Sequence, residues 1–202
     1  KLRELDVRKL QQHLIEVGIL PQEVLEQKDS YPIPEEKVAA AVKSLPGEPE
    51  GASVILARPE VALPLLKAAF QSTGGEDKLA YAHALAVLGD DSGIDVLMDA
   101  VRAHETWDEG WNYRGMGQFG SALSPLDRLI VALGRAGNPR AIGVIVEKAK
   151  LLTAESEFSH HRAVGLALEL IGDRQGAQPL AELLTKPSMS GYVIYTVEDA
   201  RR

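Results

Sequence analysis

Apolar positions recur along this chain with the period of an α-helix, and one pattern is written three times, at 81–101, 129–149 and 164–184. Aligned on Gly89, Gly137 and Gly172, each copy carries Ala84, Ala132 or Ala167 five residues before the glycine and Leu85, Leu133 or Leu168 four before it. Asp90, Asn138 or Asp173 follows the glycine. An apolar comb comes next: Ile94, Leu97, Met98 and Val101; Ile142, Ile145, Val146 and Ala149; Ala177, Leu180, Ala181 and Leu184. The spacing i, i+3, i+4, i+7 is one stripe of a helix. Each copy therefore predicts a helix, a tight turn and a second helix. The glycine supplies a left-handed stop, and the polar residue after it caps the helix that follows. Such a hairpin cannot bury its apolar face alone, so the copies are expected to stack.

The rest of the chain supports this frame. Asp6 can cap a helix over 6–17, with Leu10, Leu14 and Val17 on one face and Gly18 as its stop. Residues 19–34 hold Pro21, Pro32 and Pro34 and read as irregular. A short helix is expected over 35–45, with Val38 and Val42 inward. The break at 46–51 holds two prolines and two glycines and predicts the main boundary, with a helical linker segment at 1–50 and a repeat domain at 51–202. Pro59 suits the first turn of a helix over 59–70, which reads as the cap of the stack; Pro64 either kinks it or marks its true start. Ser124 and Pro125 restart the helices as N-cap and first helical residue. Pro187 ends the last helix, and 191–197 is β-prone.

Gly89 and Gly137 stand farther apart than Gly137 and Gly172, and the excess lies between Ala103 and Ser124. The insertion, 105–120, holds both tryptophans of the chain, Trp107 and Trp111, with Tyr113, Arg114, Gly115, Gly117, Gln118 and Phe119. Aromatic residues make up only 5% of the chain, so their gathering in a non-periodic loop needs a cause. Glycine lets backbone approach another group closely, and Trp, Tyr and Arg supply large contact area. Two readings stand: a recognition surface, or a loop whose aromatics lie back on the stack. In a stack of hairpins, the connections between repeats share one edge. The segment 153–161, with Glu155, Glu157, His160 and His161, therefore falls beside the insertion.

Several candidate chemistries lose ground on inspection. Gly115, Gly117 and Gly120 match G-x-G-x-x-G, but no strand precedes them and no helix opens from them, as a dinucleotide site requires. His160 and His161 are adjacent and point about 100° apart on a helix, so they do not chelate one metal together. Ser159 is expected to cap that helix. His83, inside a helix, reads as packed or surface. Asp90, Asp91 and Asp173 read as turn caps. Asp108, Glu109, Glu155 and Glu157 leave a paired-carboxylate site as a weak alternative. No serine-hydrolase elbow, P-loop or zinc-protease motif occurs.

Composition narrows the partners. The net charge is −7 with no Lys/Arg block, which disfavours nucleic acid. No apolar run approaches the roughly 20 residues of a membrane span. The chain holds no cysteine, hence no disulfide or thiolate chemistry. It opens Lys1-Leu2-Arg3 and is read as a fragment of a longer, soluble protein of unassigned compartment.

The hairpins resemble HEAT-like repeats, so the expected class is all-α, an α-α superhelix with one long aromatic and glycine-rich loop. A narrower resemblance rests on 5–11 (LDVRKLQ), 107–134 and 155–163 (ESEFSHHRA). Together these are similar to the C-terminal helical region of bacterial FAD-dependent oxidoreductases of the NAD(FAD)-utilising dehydrogenase type. The resemblance implies an FAD-binding domain before Lys1 in the same polypeptide as this segment's partner. It also implies no flavin site, metal site or catalytic residue within 1–202. The insertion edge would pack on the flavin domain. Trp107, Trp111, Tyr113, Arg114, Gly115, Gly117, Gln118, Phe119, His160 and His161 would serve as interaction residues, and Trp111, Tyr113, Arg114 and His161 would complete a pocket for a small-molecule substrate. The rival expectations are a stand-alone HEAT-repeat scaffold, binding proteins on its second helices, and a HEAT-type bilin lyase or isomerase.

Overall fold

The computed structural model describes residues 33–110 and 123–189. The helix expected at 6–17, the β-prone tail, the G-x-G-x-x-G stretch and the candidates Trp111, Tyr113, Arg114, Gly115, Gly117, Gln118 and Phe119 lie outside the described residues. The chain divides into two compact units, Lys1–Glu35 and Glu36–Arg202, so the break at 46–51 falls inside the second.

The described residues are all-helical. In order the helices are α1 (Glu35–Ser44), α2 (Ala52–Ala57), α3 (Pro59–Ser72), α4 (Gly75–Val87), α5 (Ile94–Ala103), α6 (Pro125–Ala136), α7 (Ile142–Lys150), α8 (Phe158–Ile171) and α9 (Ala177–Leu184). The three written repeats are the pairs α4/α5, α6/α7 and α8/α9. First helices pack in succession, α4 on α6 and α6 on α8, and second helices do the same, α5 on α7 and α7 on α9. Each new first helix also packs on the second helix before it, α6 on α5 and α8 on α7.

The turns obey local chemistry. Gly89, Gly137 and Gly172 have φ of 82°, 68° and 68°, a region in which a β-carbon is strained. The side chain after each glycine then accepts an amide two residues on: Asp90 from Ser92 at 3.0 Å, Asn138 from Arg140 at 3.0 Å and Asp173 from Gln175 at 2.8 Å. The first two turns are also tied side by side. Asn138 Nδ2 donates to Asp91 Oδ2 at 2.8 Å, and Arg140 Nη2 donates to Asp95 Oδ1 at 2.6 Å.

The combs behave differently along the chain. Ile94, Leu97, Met98 and Val101 are all buried, as are Ile142, Ile145 and Ala149, with Val146 half-buried. The third comb departs from expectation: Leu183 is the buried residue of α9, while Leu184 is 39% exposed and Ala177 and Ala181 face out. Helix α9 packs on α7, and no described helix follows to cover its outer side. Pro64 sits inside α3 on its exposed side, so the helix runs through it from Pro59. The sequence reading did not include α2, whose six residues are too few to show a period.

The closest approach in the stack is between α6 and α8. A β-carbon at Gly134 would lie 2.5 Å from the Ala167 Cα and 2.9 Å from its carbonyl oxygen. Gly165, in the middle of α8, has open space around it. Gly134→Ala should therefore destabilise the fold by about 1–3 kcal/mol through overpacking. Gly165→Ala should stabilise it by up to about 1 kcal/mol through helix propensity. Urea unfolding of both variants checks this; equal effects of the same sign would refute the packing assignment.

Candidate functional site

The inserted loop leaves α5 at His104, and its first residues are fastened to the stack by a buried cluster. The helix it returns to, α6, opens with a capping box. Asp127 N donates to Ser124 Oγ at 3.0 Å, and Ser124 N donates to Asp127 Oδ2 at 3.0 Å. This places a carboxylate at the buried N-terminal turn of α6, and its second oxygen is spoken for by α8. His160 Nδ1 lies 2.8 Å from Asp127 Oδ1, with the two side chains 3% and 0% exposed. His160 Nε2 lies 3.1 Å from the backbone carbonyl oxygen of Asp108.

That geometry fixes the charge on the ring. Carboxylate and carbonyl oxygens only accept, so both ring nitrogens must donate, and His160 is an imidazolium. Burial pushes its pKa down. The hydrogen bond and charge of Asp127, with the charge and carbonyl of Asp108, outweigh this and hold it above the ordinary 6.5. Burial likewise raises Asp127. Hydrogen bonds from His160, Ser159 and the Ser124 amide, with the His160 charge, prevail and hold it below the ordinary 3.8.

The loop root then closes over this ion pair. The Trp107 indole stacks on the imidazolium, with centroids 4.4 Å apart and planes 31° from parallel, which suits a cation against an aromatic face. Trp107 Nε1 donates to the Lys148 carbonyl at 3.2 Å, while buried Lys148 reaches back through Nζ to the His104 carbonyl. Asp108 Oδ2 accepts the Leu126 amide at 2.9 Å; its buried Oδ1 has no hydrogen-bond partner. Gly110 passes so near that a β-carbon would lie 2.4 Å from His160 Cε1 and 2.7 Å from Ser159 Oγ. Lys186 caps the far end of α7, donating to the carbonyls of Lys150 at 2.8 Å and Leu152 at 2.7 Å.

Of the sequence candidates, the structure brings Trp107 and His160 into contact. His161, one position on, turns away and engages the Thr153 carbonyl at 3.1 Å. Ser159 does not cap α8. The helix starts two positions earlier than that cap would require, at Phe158, with Glu157 before it, and Ser159 and His160 are buried. Ser124 caps α6 as expected, and the residues missed by sequence reasoning are Asp127 and Lys148. Ser124-x-x-Asp127 was a readable capping-box signal. Lys148 follows a helical comb and carried none.

Chemically, the cluster is a lock. His160 has no nitrogen left to take a proton from a substrate, and Asp127 is saturated. Among the described residues no group of three His, Asp or Glu side chains is placed to hold a metal ion. No protein-family model, curated protein or solved structure matches this chain.

Two outcomes follow from the ion pair. Asp127→Ala strands the imidazolium and removes the cap, and should cost about 3–5 kcal/mol in urea unfolding. The pH dependence has a definite sign. His160 titrates higher when folded, so its contribution is complete below 6.5 and is lost as pH rises through the raised value. Asp127 titrates lower when folded, so its contribution is complete above 3.8 and is lost as pH falls through the lowered value. The stability gap between wild type and His160→Gln should therefore shrink as pH rises from 6.5 through the raised value. A gap that stays constant over that range would mean the ring is neutral in the native state.

Proposed function

We propose that this chain is a non-catalytic accessory module, a HEAT-like superhelix of stacked hairpins that presents its aromatic and glycine-rich loop to an FAD-binding domain of the same polypeptide. The stacking of first helices on first helices and second on second supports the superhelical reading. The observation that carries the functional reading is the fastening of the loop root. Trp107 and Asp108 make three hydrogen bonds to α6, α7 and α8, and Gly110 lies against His160 of the buried ion pair.

The type of anchoring bears on function. A loop that only closes a gap could be held by apolar packing, which stabilises at least as well as a buried ion pair. A directional anchor fixes where the following residues depart, and those residues include Trp111, Tyr113, Arg114 and Phe119. Large aromatics and arginine on a rigid base are the make-up of an interaction hot spot. The resemblance of 107–134 and 155–163 to the helical region of bacterial FAD-dependent oxidoreductases supplies the partner. The flavin belongs to that partner domain, and the loop edge would pack on it and border its substrate pocket.

Titration of the separately produced flavin domain with this chain, followed by calorimetry, tests the reading. Saturable binding is expected. Trp111→Ala should weaken it by about tenfold or more, as expected of a hot-spot tryptophan. Gly110→Val, packed against His160 and Ser159, should also weaken it by displacing the loop root. Absence of binding, or binding indifferent to both changes, would remove this function.

A further inference from the structure

Helix α4 is apolar nearly all round. One stripe, Tyr81, Ala82, Leu85 and Ala86, is buried against its neighbours. The opposite stripe, Leu79, Ala80, His83, Ala84 and Val87, forms the floor of a groove of about 570 Å³ walled by α2 and the first turns of α6. A helix that is hydrophobic all round is normally covered all round. Here the second stripe is left half open, and Leu56 on the rim is 51% exposed. No residue of the loop root or of the second helices lines the groove, so neither the accessory reading nor the scaffold reading accounts for it.

The shape and the polar groups select the occupant. A concave space of this size lies within the roughly 300–1,000 Å³ of small-molecule sites, whereas a partner protein usually meets a flatter face. The lining is aliphatic except for Glu76, His83 and Arg128. His83 lies about two helical turns from Glu76 along α4 and against the Arg128 backbone. The Arg128 side chain is exposed and donates Nε to the Leu123 carbonyl at 3.1 Å. Burial lowers the His83 pKa below the ordinary 6.5, and the charges of Arg128 and Arg135 add to this. A hydrogen bond to the Arg128 backbone opposes it but does not prevail. His83 is thus a neutral polar group, and the cation of the lining is Arg128.

We infer that this groove binds a small amphiphilic carboxylate, its apolar body along the α4 stripe and its anionic head at Arg128 beside His83. The inference stands apart from the docking function, since no residue of the loop root lines the groove.

Calorimetric titration of the intact chain with decanoate, decanol and decyltrimethylammonium tests this. Decanoate should bind at one saturable site below its micelle concentration, and decanol more weakly. Arg128→Gln should cost decanoate about tenfold or more, the worth of a charged hydrogen bond, and bring it level with decanol. Ala84→Trp, which fills the floor, should abolish binding while leaving the helical circular dichroism unchanged. Leu56→Glu at the rim gives a second groove variant should the tryptophan disturb folding. The proposal fails if decanoate does not saturate, if decyltrimethylammonium binds as well as decanoate, or if both groove variants leave the titration unmoved. It also fails if sedimentation finds a dimer of this chain that the groove variants dissociate, because a second copy would then be the occupant.

Discussion

A cation held between two acceptors, with almost no water in reach, organises the connection edge of this protein. His160 donates from one ring nitrogen to the Asp127 carboxylate and from the other to the Asp108 carbonyl. Neither acceptor can be swapped for a donor without leaving a buried charge unpaired, which is among the largest single penalties a core can carry. The arrangement therefore specifies three things together: the start of α6 through Asp127, the inward face of α8 through His160, and the path of the chain leaving α5 through Asp108. Apolar packing could hold these elements at similar cost but would tolerate sliding. Hydrogen-bonded charge does not.

The opposite edge is built on a different economy. Its three turns repeat one solution, a left-handed glycine followed by a side chain that caps the next amide but one. The ties between the first two turns, Asn138 to Asp91 and Arg140 to Asp95, are exposed, and exposed ion pairs contribute little to stability. Register on that edge comes from the core instead, above all from Gly134 lying against Ala167. Repetition thus marks one edge and singular chemistry the other.

This division also explains what the sequence could disclose. Hairpins, turn glycines and their caps were legible because each is decided within a few residues, by period and by backbone conformation. The meeting of Trp107 with His160 was legible only as a shared edge, since the topology of a stack places both connections there. The identity of the lock was not. Asp127 looks like any first-turn acid, and Ser159 like a cap. Only the start of α8 at Phe158 turns Ser159 and His160 inward. The third comb misled for the converse reason: Ala177, Leu180, Ala181 and Leu184 have the right period, but period does not reveal whether a neighbour exists to cover them. The same blindness hid the groove. Leu79, Ala80, Ala84 and Val87 form an apolar stripe whose interest lies in what fails to cover it.

The two features meet in the first turn of α6. Ser124 and Asp127 cap that turn and hold His160, and the Leu126 amide binds Asp108. Pro125, Arg128 and Leu129, interleaved with them, wall the groove. Successive residues of a helix point about 100° apart, so one turn can serve a core on one side and an open surface on the other. Arg128 is also bonded to the carbonyl of Leu123, just before the cap. The orientation of the one cation in the groove is consequently set by the same few residues that receive the returning loop. One turn of α6 thus joins the buried lock to a surface the lock does not touch.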